Sequence, residues 1–199
     1  MQLIGITGGV GMGKSTTAEF LARRGLPVTD TDVIARDLVA RGRPALAEIA
    51  AAFGPDMLLP DGNLDRGRLA ARVFAAEPER RRLEAILHPR IRAAWRAETA
   101  AWRAEGRRAG AVIIPLLFET AAEREFGAVL CTACTAVSQR ARLQARGWEG
   151  AQIAGRLAAQ WPAEEKVARA DFVVWSEGSL AAHAAQVDRL LATLGLLAA

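Results

Sequence analysis

The chain has 199 residues, half of them hydrophobic, so it can fold as one domain with a sizeable core and room for a small insertion. No apolar run approaches the length that spans a bilayer, and the N-terminus lacks the basic flank and cleavage site of a secretory signal. We therefore expect a cytoplasmic protein. The net charge of +4 and the sequence pI of about 10.0 leave nucleic acid as one possible partner.

The first apolar run, QLIGIT, leads directly into a glycine-rich segment. There Gly8 is followed by four residues and then by Gly13, Lys14 and Ser15, which is the P-loop pattern; residues 8–15 are called the P-loop below. Its glycines let backbone N–H groups converge on one concavity at the positive end of the following helix. In this pattern Lys14 reaches the outer phosphates of a nucleotide, and the hydroxyl of Ser15 can ligate Mg²⁺. A nucleotide site is predicted, rather than a glycine-rich turn that binds nothing.

Apolar runs of strand length recur along the chain and alternate with helical patterns. This alternation predicts an α/β fold with a five-stranded parallel sheet that is flanked by helices. The strand-length runs lie at 2–7, 26–30, 110–115, 128–133 and 171–175.

Two intervals between these runs are helical and rich in arginine. Residues 44–106 contain no strand pattern, and sixty residues are far more than a crossover needs, so we expect a helical insertion that closes over an acceptor substrate. Residues 138–170 form a second helical stretch. Residues 66–108 hold twelve arginines against five acidic residues, a surplus that suits RNA or a small, phosphate-rich substrate. The few scattered aromatic residues offer no base-stacking platform, which disfavours RNA.

A pair of carboxylates, Asp30 and Asp32, ends the second predicted strand. Ligands of doubly wound sheets sit at the carboxyl ends of strands, so both acids can lie beside the P-loop. Phosphoryl transfer to a hydroxyl needs a carboxylate that accepts the proton, and Asp32 is our candidate, with Glu119 next. The alternative is that Asp32 caps the following helix and Asp30 anchors backbone.

Two cysteines, Cys131 and Cys134, have the spacing of a redox or zinc motif. They fall in an apolar run that predicts a buried strand, where positions three apart point to opposite faces. No second cysteine pair completes a zinc site, so we interpret both as small core residues. His183, in the last helical pattern, is expected to be a surface or packing residue.

Several of these segments together resemble one family, bacterial dephospho-CoA kinase, over residues 5–178. The Asp-x-Asp pair with its IAR sequel, the His-Pro pair before a basic helix and PLLFE are more specific than the P-loop. The matching segments are GITGGVGMGKST (5–16), TDTDVIAR (29–36), LHPRIR (87–92), IPLLFE (114–119), LQAR (143–146) and RLAAQWPAEEKVARADFVV (156–174).

The resemblance implies an enzyme that transfers the γ-phosphate of ATP to the ribose 3′-hydroxyl of dephospho-CoA, the last step of coenzyme A synthesis. It implies a P-loop kinase core with a helical CoA-binding insertion and a helical lid. The implied parts are the core (1–43, 107–137 and 171–199), the insertion (44–106) and the lid (138–170). The implied ligands are ATP, Mg²⁺ and dephospho-CoA. From the sequence as a whole we expect no nucleic acid or membrane partner, and the oligomeric state stays open with a monomer slightly favoured.

Roles for individual residues follow from the same resemblance. Asp32 would be the catalytic base and an acceptor-binding residue, and Lys14 would act on the transferring phosphate. Arg142 and Arg146 would be lid arginines that neutralise that phosphate, and Ser15 would ligate the metal. The residues that would bind ATP are Gly11, Met12, Gly13, Lys14, Ser15 and Thr16, and those that would line the acceptor side with Asp32 are His88, Arg92, Leu117 and Glu119.

Alternative interpretations remain for some of these residues and for the chain as a whole. His88 is also interpretable as a buried structural histidine before a proline turn. The chain is also interpretable as a P-loop kinase of another acceptor, such as a nucleoside monophosphate, or as a nucleotide-dependent switch or RNA-binding protein. A GTPase would normally carry Asn-Lys-x-Asp, and this pattern is absent because the two lysines, Lys14 and Lys166, stand in other contexts.

Overall fold

The structure is a computed structural model that describes residues 1–197, except the side chain of Phe74. The chain forms two compact units: unit 1 contains Met1–Asp30 and the chain from Ala100 onward, and unit 2 contains Thr31–Thr99. No helix in the described range is both long enough and apolar enough to cross a bilayer. The strands are β1 (Gln2–Thr7), β2 (Val28–Asp30), β3 (Ala109–Ile113), β4 (Ala128–Ala133) and β5 (Phe172–Trp175). The helices are α1 (Lys14–Arg23), α2 (Thr31–Leu38), α3 (Pro44–Phe53), α4 (Arg66–Ala75), α5 (Glu77–Ala104), α6 (Ala136–Ala145), α7 (Gly150–Ala158), α8 (Ala163–Arg169) and α9 (Leu180–Thr193).

Unit 1 is built on a sheet whose order, over the described residues, is β2-β3-β1-β4-β5 with every pairing parallel. The predicted five-stranded parallel sheet is therefore confirmed. The central strand β1 is buried from Leu3 to Thr7, as expected for a continuous apolar run in a parallel sheet. Because the strands are parallel, their carboxyl ends all lie at the same end of the sheet. The P-loop begins at that end, directly after β1.

Helix α9 packs with α1 and β5 in unit 1 through one buried stripe. The helix begins after Ser179, whose hydroxyl accepts a hydrogen bond from the backbone N–H of Ala182 at 3.1 Å, a normal N-cap. The buried residues of the stripe follow helical spacing and are His183, Val187, Leu190 and Leu191.

Strand β5 lies at one edge of the sheet, and a side chain of α9 pairs with its backbone. Gln186 Oε1 accepts the N–H of Trp175 at 2.9 Å, and Gln186 Nε2 donates to the carbonyl of Trp175, also at 2.9 Å. This amide thus satisfies two backbone groups that an edge strand otherwise leaves open.

Unit 2 is helical and has a core of its own. Its 3₁₀ turn Pro55–Met57 leads into a short connection in which Leu58 and Leu64 form an isolated bridge. Asp65 caps α4 by accepting the N–H of Arg68 at 2.9 Å. The unit covers much of the predicted insertion, whose exact bounds stay a prediction. The buried core residues are Val39, Ala45, Leu46, Ile49, Phe53, Met57, Leu64, Leu69, Val73 and Ile86.

Helix α5 runs for 28 residues with Pro89 in its interior. The proline turn considered for the segment after His88 is therefore wrong, because the helix continues through it. Pro89 cannot donate a hydrogen bond to the carbonyl of Ala85. In the same turn the guanidinium of Arg90 donates to the carbonyl of Ile86 at 2.7 Å.

Both cysteines are free thiols in the core of unit 1. Cys131 lies in β4, and Cys134 lies one residue beyond the end of that strand. Burial raises the pKa of the Cys131 thiol to about 11 and also raises the pKa of Cys134. Among the described residues no group of three or more His, Cys, Asp or Glu side chains is placed to hold a metal ion. These findings agree with the interpretation of the pair as small core residues.

We expect both thiols to react slowly with an aromatic disulfide reagent in the folded protein at pH 7.5. The thiolate is the reactive form, and a pKa of about 11 instead of 9.0 lowers its population at Cys131 about 100-fold. Labelling should be followed spectroscopically with and without denaturant, and both thiols should react promptly once the chain is unfolded. Labelling of either thiol at the unfolded rate in the native protein would contradict the burial argument.

Candidate active site

The P-loop has a backbone that only glycine adopts easily at its first and last glycine positions. Gly8 has a φ of 133° and Gly13 a φ of 94°. A Cβ at Gly8 would clash with the carbonyl oxygen of Thr132 at the end of β4. A Cβ at Gly13 would lie 2.9 Å from the Cβ of Ser176, just after β5. The glycines thus let the P-loop lie close to the end of β4 and to the residue that follows β5.

The N-terminus of α1 has the properties of an anion site. Gly13 is its N-cap, and the first turn, which the structure describes in full, contains no acidic residue. The N–H groups and the positive dipole end of the helix therefore favour a phosphate group. Ser15 is exposed in this turn. Lys14 Nζ donates to the carbonyls of Gly8 and Gly9, at 2.8 and 3.0 Å, which places the ammonium over the P-loop.

Arg142 on α6 lies at the P-loop and contacts the chain after β5. Its Nη1 donates to Ser176 Oγ at 2.8 Å and its Nη2 to the carbonyl of Ser176 at 2.6 Å. Nη1 also lies 3.4 Å from the carbonyl oxygen of Gly11. Arg146 is exposed at the end of α6, four residues later and so on the same face of the helix. The structure thus brings Arg142 to the P-loop.

His183 forms a buried contact with α1 that the sequence analysis missed. The Nε2 of His183 lies 2.8 Å from Thr17 Oγ1, and its ring packs edge-on to Phe20 with centroids 5.2 Å apart. His183 is 3% exposed. Burial lowers the pKa of His183, and the positive charge of Arg142 lowers it further. The apolar stripe of α9 is the signal that could have identified the burial, although no sequence pattern identifies Thr17 as the partner.

Leu117, predicted to line the acceptor side, is fully buried in unit 1. A Cβ at Gly5 in the centre of β1 would lie 2.7 Å from Leu117 Cδ1, so the two residues are in close contact. The structure therefore shows a core contact for the Leu117 side chain, and its role in binding stays a prediction.

Glu119, two residues later, forms a buried ion pair that the sequence analysis also missed. Its Oε1 accepts from Lys166 Nζ at 2.7 Å and from the backbone N–H of Trp161 at 2.9 Å. Lys166 is fully buried and also donates to the carbonyl of Pro115 at 2.7 Å. The other carboxylate oxygen, Oε2, is buried and has no hydrogen-bond partner among the described residues. Glu119 therefore has one oxygen in a structural contact and one left for a donor.

The remaining predicted site residues belong to unit 2. Asp32 is exposed in the first turn of α2. Because α2 begins at Thr31, Asp32 lies inside the helix, and Asp30 is the acid that directly precedes it. His88, half-buried, and Arg92, exposed, stand one turn apart on the same face of α5.

Much of the basic surplus found in the sequence has partners inside the protein. Arg72, for example, donates to the carbonyl of Phe53 at 2.7 Å and lies 3.6 Å from a carboxylate oxygen of Glu79. These contacts weaken the argument that the surplus binds a polyanion. The arginines of residues 66–108 with contacts of this kind are Arg66, Arg68, Arg72, Arg80, Arg81, Arg90, Arg107 and Arg108.

A cleft of about 460 Å³ lies next to the beginning of β3, at the amino ends of the strands and therefore at the opposite end of the sheet from the P-loop. Arg24 in its wall pairs with Asp188, and Arg107 pairs with Glu105. Helices α1 and α5 end there, so their negative dipole ends face the cleft and disfavour anions. The size of the cleft alone therefore does not make it the candidate site.

The family model and the curated relatives that match this chain point to one family. The family model described as dephospho-CoA kinase matches residues 2–182. The dephospho-CoA kinase of Anaeromyxobacter dehalogenans is 51% identical over 195 residues, which cover 98% of this chain and 92% of the relative. A Thermus thermophilus protein of known structure has a TM-score of 0.84 at 34% identity, covering 100% of this chain and 98% of that one. The dephospho-CoA kinase structure from Campylobacter jejuni has a TM-score of 0.71 at 26% identity, with 98% of each chain covered.

We expect the buried His183 to make the protein less stable as the pH falls below about 6.5. The folded state lowers the pKa of His183, so the unfolded chain binds the proton at a higher pH and acid favours unfolding. The full stabilisation is present above the unfolded pKa and is lost as the pH falls towards the folded one. The free energy of urea unfolding, measured at pH 7.5 and 5.5, should therefore decrease less in His183→Gln than in the unmodified protein. Equal decreases in the two proteins would contradict this role.

Proposed function

The chain belongs to the dephospho-CoA kinase family, and from this premise we propose that it phosphorylates dephospho-CoA with ATP to give coenzyme A. The phosphoryl group passes from the γ-position of ATP to the ribose 3′-hydroxyl, as the resemblance of the motifs implies. The observation that carries the proposal is the family match over residues 2–182, because the P-loop alone is shared by kinases with other acceptors.

ATP binds at the P-loop and the first turn of α1, through Gly11–Thr16. Lys14 already donates to two P-loop carbonyls, and it exchanges them for the outer phosphates, because a negatively charged phosphate oxygen attracts the ammonium more strongly than an uncharged carbonyl oxygen does. The exposed hydroxyl of Ser15 fits a magnesium ligand, because Mg²⁺ in kinases takes few protein oxygens and several from the phosphates. When bound, Mg²⁺ neutralises charge on those phosphates.

Arg142 and Arg146 neutralise the charge of the phosphoryl group during transfer. The contact of Arg142 with the P-loop and with Ser176 supports this, because the guanidinium is held at the carbonyl of Gly11 within the loop proposed to bind the phosphates. Asp32 takes the proton of the attacking hydroxyl as general base. Its exposed position in the first turn of α2 leaves the carboxylate accessible to an acceptor.

The acceptor is bound by His88 and Arg92 on one face of α5, and by Glu119. The buried Oε2 of Glu119 supports this role, since an unsatisfied buried oxygen gains from a donor on the substrate. Leu117 contributes through its packing at Gly5, which holds the segment that carries Glu119 against β1. We further propose a cytoplasmic location and an action on small molecules and not on nucleic acid. The free thiols Cys131 and Cys134 fit a reducing compartment.

An acceptor panel with ATP and Mg²⁺, scored by the phosphorylated product, tests the proposed function. We expect dephospho-CoA to be the best acceptor, with AMP and adenosine poorer by about 100-fold or more in kcat/KM because they lack much of the bound surface. The matched control is Lys14→Ala, which should melt like the unmodified protein and give no detectable product. Equal efficiency with AMP would favour a nucleotide kinase, and RNA binding at physiological salt without any product would favour a binding protein.

We expect Asp32→Asn to lower kcat by about 10²–10⁴-fold with a modest change in KM, which is the range of general-base catalysis. Asparagine keeps the size of the side chain but cannot take up the proton, so the loss falls on the transition state. Steady-state kinetics with dephospho-CoA measure the effect.

The control for this substitution is Asp30→Asn, at the end of β2, which should cost stability more than rate. An unchanged kcat in Asp32→Asn would limit Asp32 to a helix-terminal role. The base would then be sought at Glu119.

A further inference from the structure

The tip of the P-loop is held by two side chains from distant parts of the chain. The backbone N–H of Val10 donates to Gln160 Oε1 at 3.0 Å, and the carbonyl of Val10 accepts from Gln139 Nε2 at 2.7 Å. Both polar groups of this residue are therefore paired with side chains and not with regular secondary structure. The P-loop contains four glycines within positions 8–13, and each adds conformational freedom that folding has to remove.

One glutamine lies near the start of the arginine-rich helical stretch 138–170, and the other lies about two thirds of the way along it. Gln139 lies in the first turn of α6 and is 5% exposed. Gln160 lies between α7 and α8. Residues 139–160, which contain most of α6 and all of α7, are thus held at both ends by a hydrogen bond to the same P-loop residue, so the position of this segment and the conformation of the P-loop depend on each other.

Gln160 is fixed by the residues that follow it. The N–H of Trp161 donates to Glu119 Oε1 at 2.9 Å, and the Trp161 ring stacks on Phe118 with centroids 6.3 Å apart and an interplanar angle of 12°. Lys166 completes the anchor through its ion pair with Glu119. One short segment therefore contacts both the P-loop and the chain that follows β3.

We propose that Gln160 is a positioning residue for the P-loop, which keeps the Val10 peptide in the conformation that binds ATP. The proposal rests on the proposed nucleotide site. A hydrogen bond to the loop tip raises the population of the binding conformation, and the apparent dissociation constant falls in proportion to that population. Gln160 does not touch the reacting groups. It acts through the backbone of Val10.

The test compares Gln160→Met, which keeps the length of the side chain and removes the acceptor, with Gln152→Met, an exposed position on α7. We expect Gln160→Met to raise the Kd of ATP about three- to tenfold, the size of one neutral hydrogen bond, and to leave the KM of dephospho-CoA unchanged. Gln152→Met should match the unmodified protein within about twofold. Calorimetric titration with ATP gives the affinities.

Hydrogen exchange of the Val10 amide, measured without nucleotide, tests the same bond independently of the nucleotide site. The amide should be protected in the unmodified protein and in Gln160→Glu, which keeps an acceptor oxygen, and exchange about three- to tenfold faster in Gln160→Met. A purely structural role would lower the melting temperature without changing Val10 exchange or ATP affinity.

Specific outcomes overturn the proposal. A Val10 amide that is not protected from exchange in the unmodified protein overturns the proposal, even if Gln160→Met fails to fold. Faster exchange of the Val10 amide in Gln160→Met, with an unchanged affinity for ATP, also overturns the proposal. Equal loss of Val10 protection in Gln160→Met and Gln160→Glu overturns it as well. Failure of the unmodified protein to bind ATP, or equal ATP binding by Lys14→Ala, would instead refute the nucleotide site itself.

Discussion

A loop rich in glycine has to be held in one conformation by groups outside its own sequence, and this constraint shapes unit 1. Glycine at positions 8 and 13 permits the backbone angles and the close approach to neighbouring chain. The same residues give the unfolded loop more freedom than any other choice. The contacts that offset this freedom reach the loop from α6 and from the segment before α8, through Gln139 and Gln160. Regions distant in sequence are therefore required for one short turn to have a defined shape.

The contacts of Gln139 and Gln160 with the P-loop lie at the carboxyl end of the parallel sheet. Glu119 and Lys166 form an ion pair in the interior. Loss of one partner from such a pair strongly destabilises the protein, because the charge of the other partner is left uncompensated. Trp161 links that pair to Gln160, so under the proposed role of Gln160 stability and nucleotide binding depend on common residues. We therefore expect substitutions in this region to change both properties together.

The sequence predicted the features that depend on local pattern. Five apolar runs gave the strands, and the glycine spacing gave the P-loop. The features it missed depend on pairs far apart in the chain: His183 meets Thr17 from 166 positions away, and Gln160 meets Val10 from 150. Nothing local distinguishes such a glutamine or histidine from its neighbours on a helix. The turn predicted at Pro89 was wrong for a different reason: a helix held by tertiary packing tolerates a proline that would end an isolated helix.

The hydrogen bonds of Gln186 with the backbone of Trp175 limit the addition of further strands at β5. Its amide offers β5 one donor and one acceptor, much as the backbone of a sixth strand would. At that residue a strand from another molecule would have to displace the glutamine before it could pair. A chain that ended before α9 would lose this protection, and its uncovered edge would be a template for self-association. The last helix thus helps to set the number of strands that the sheet can have.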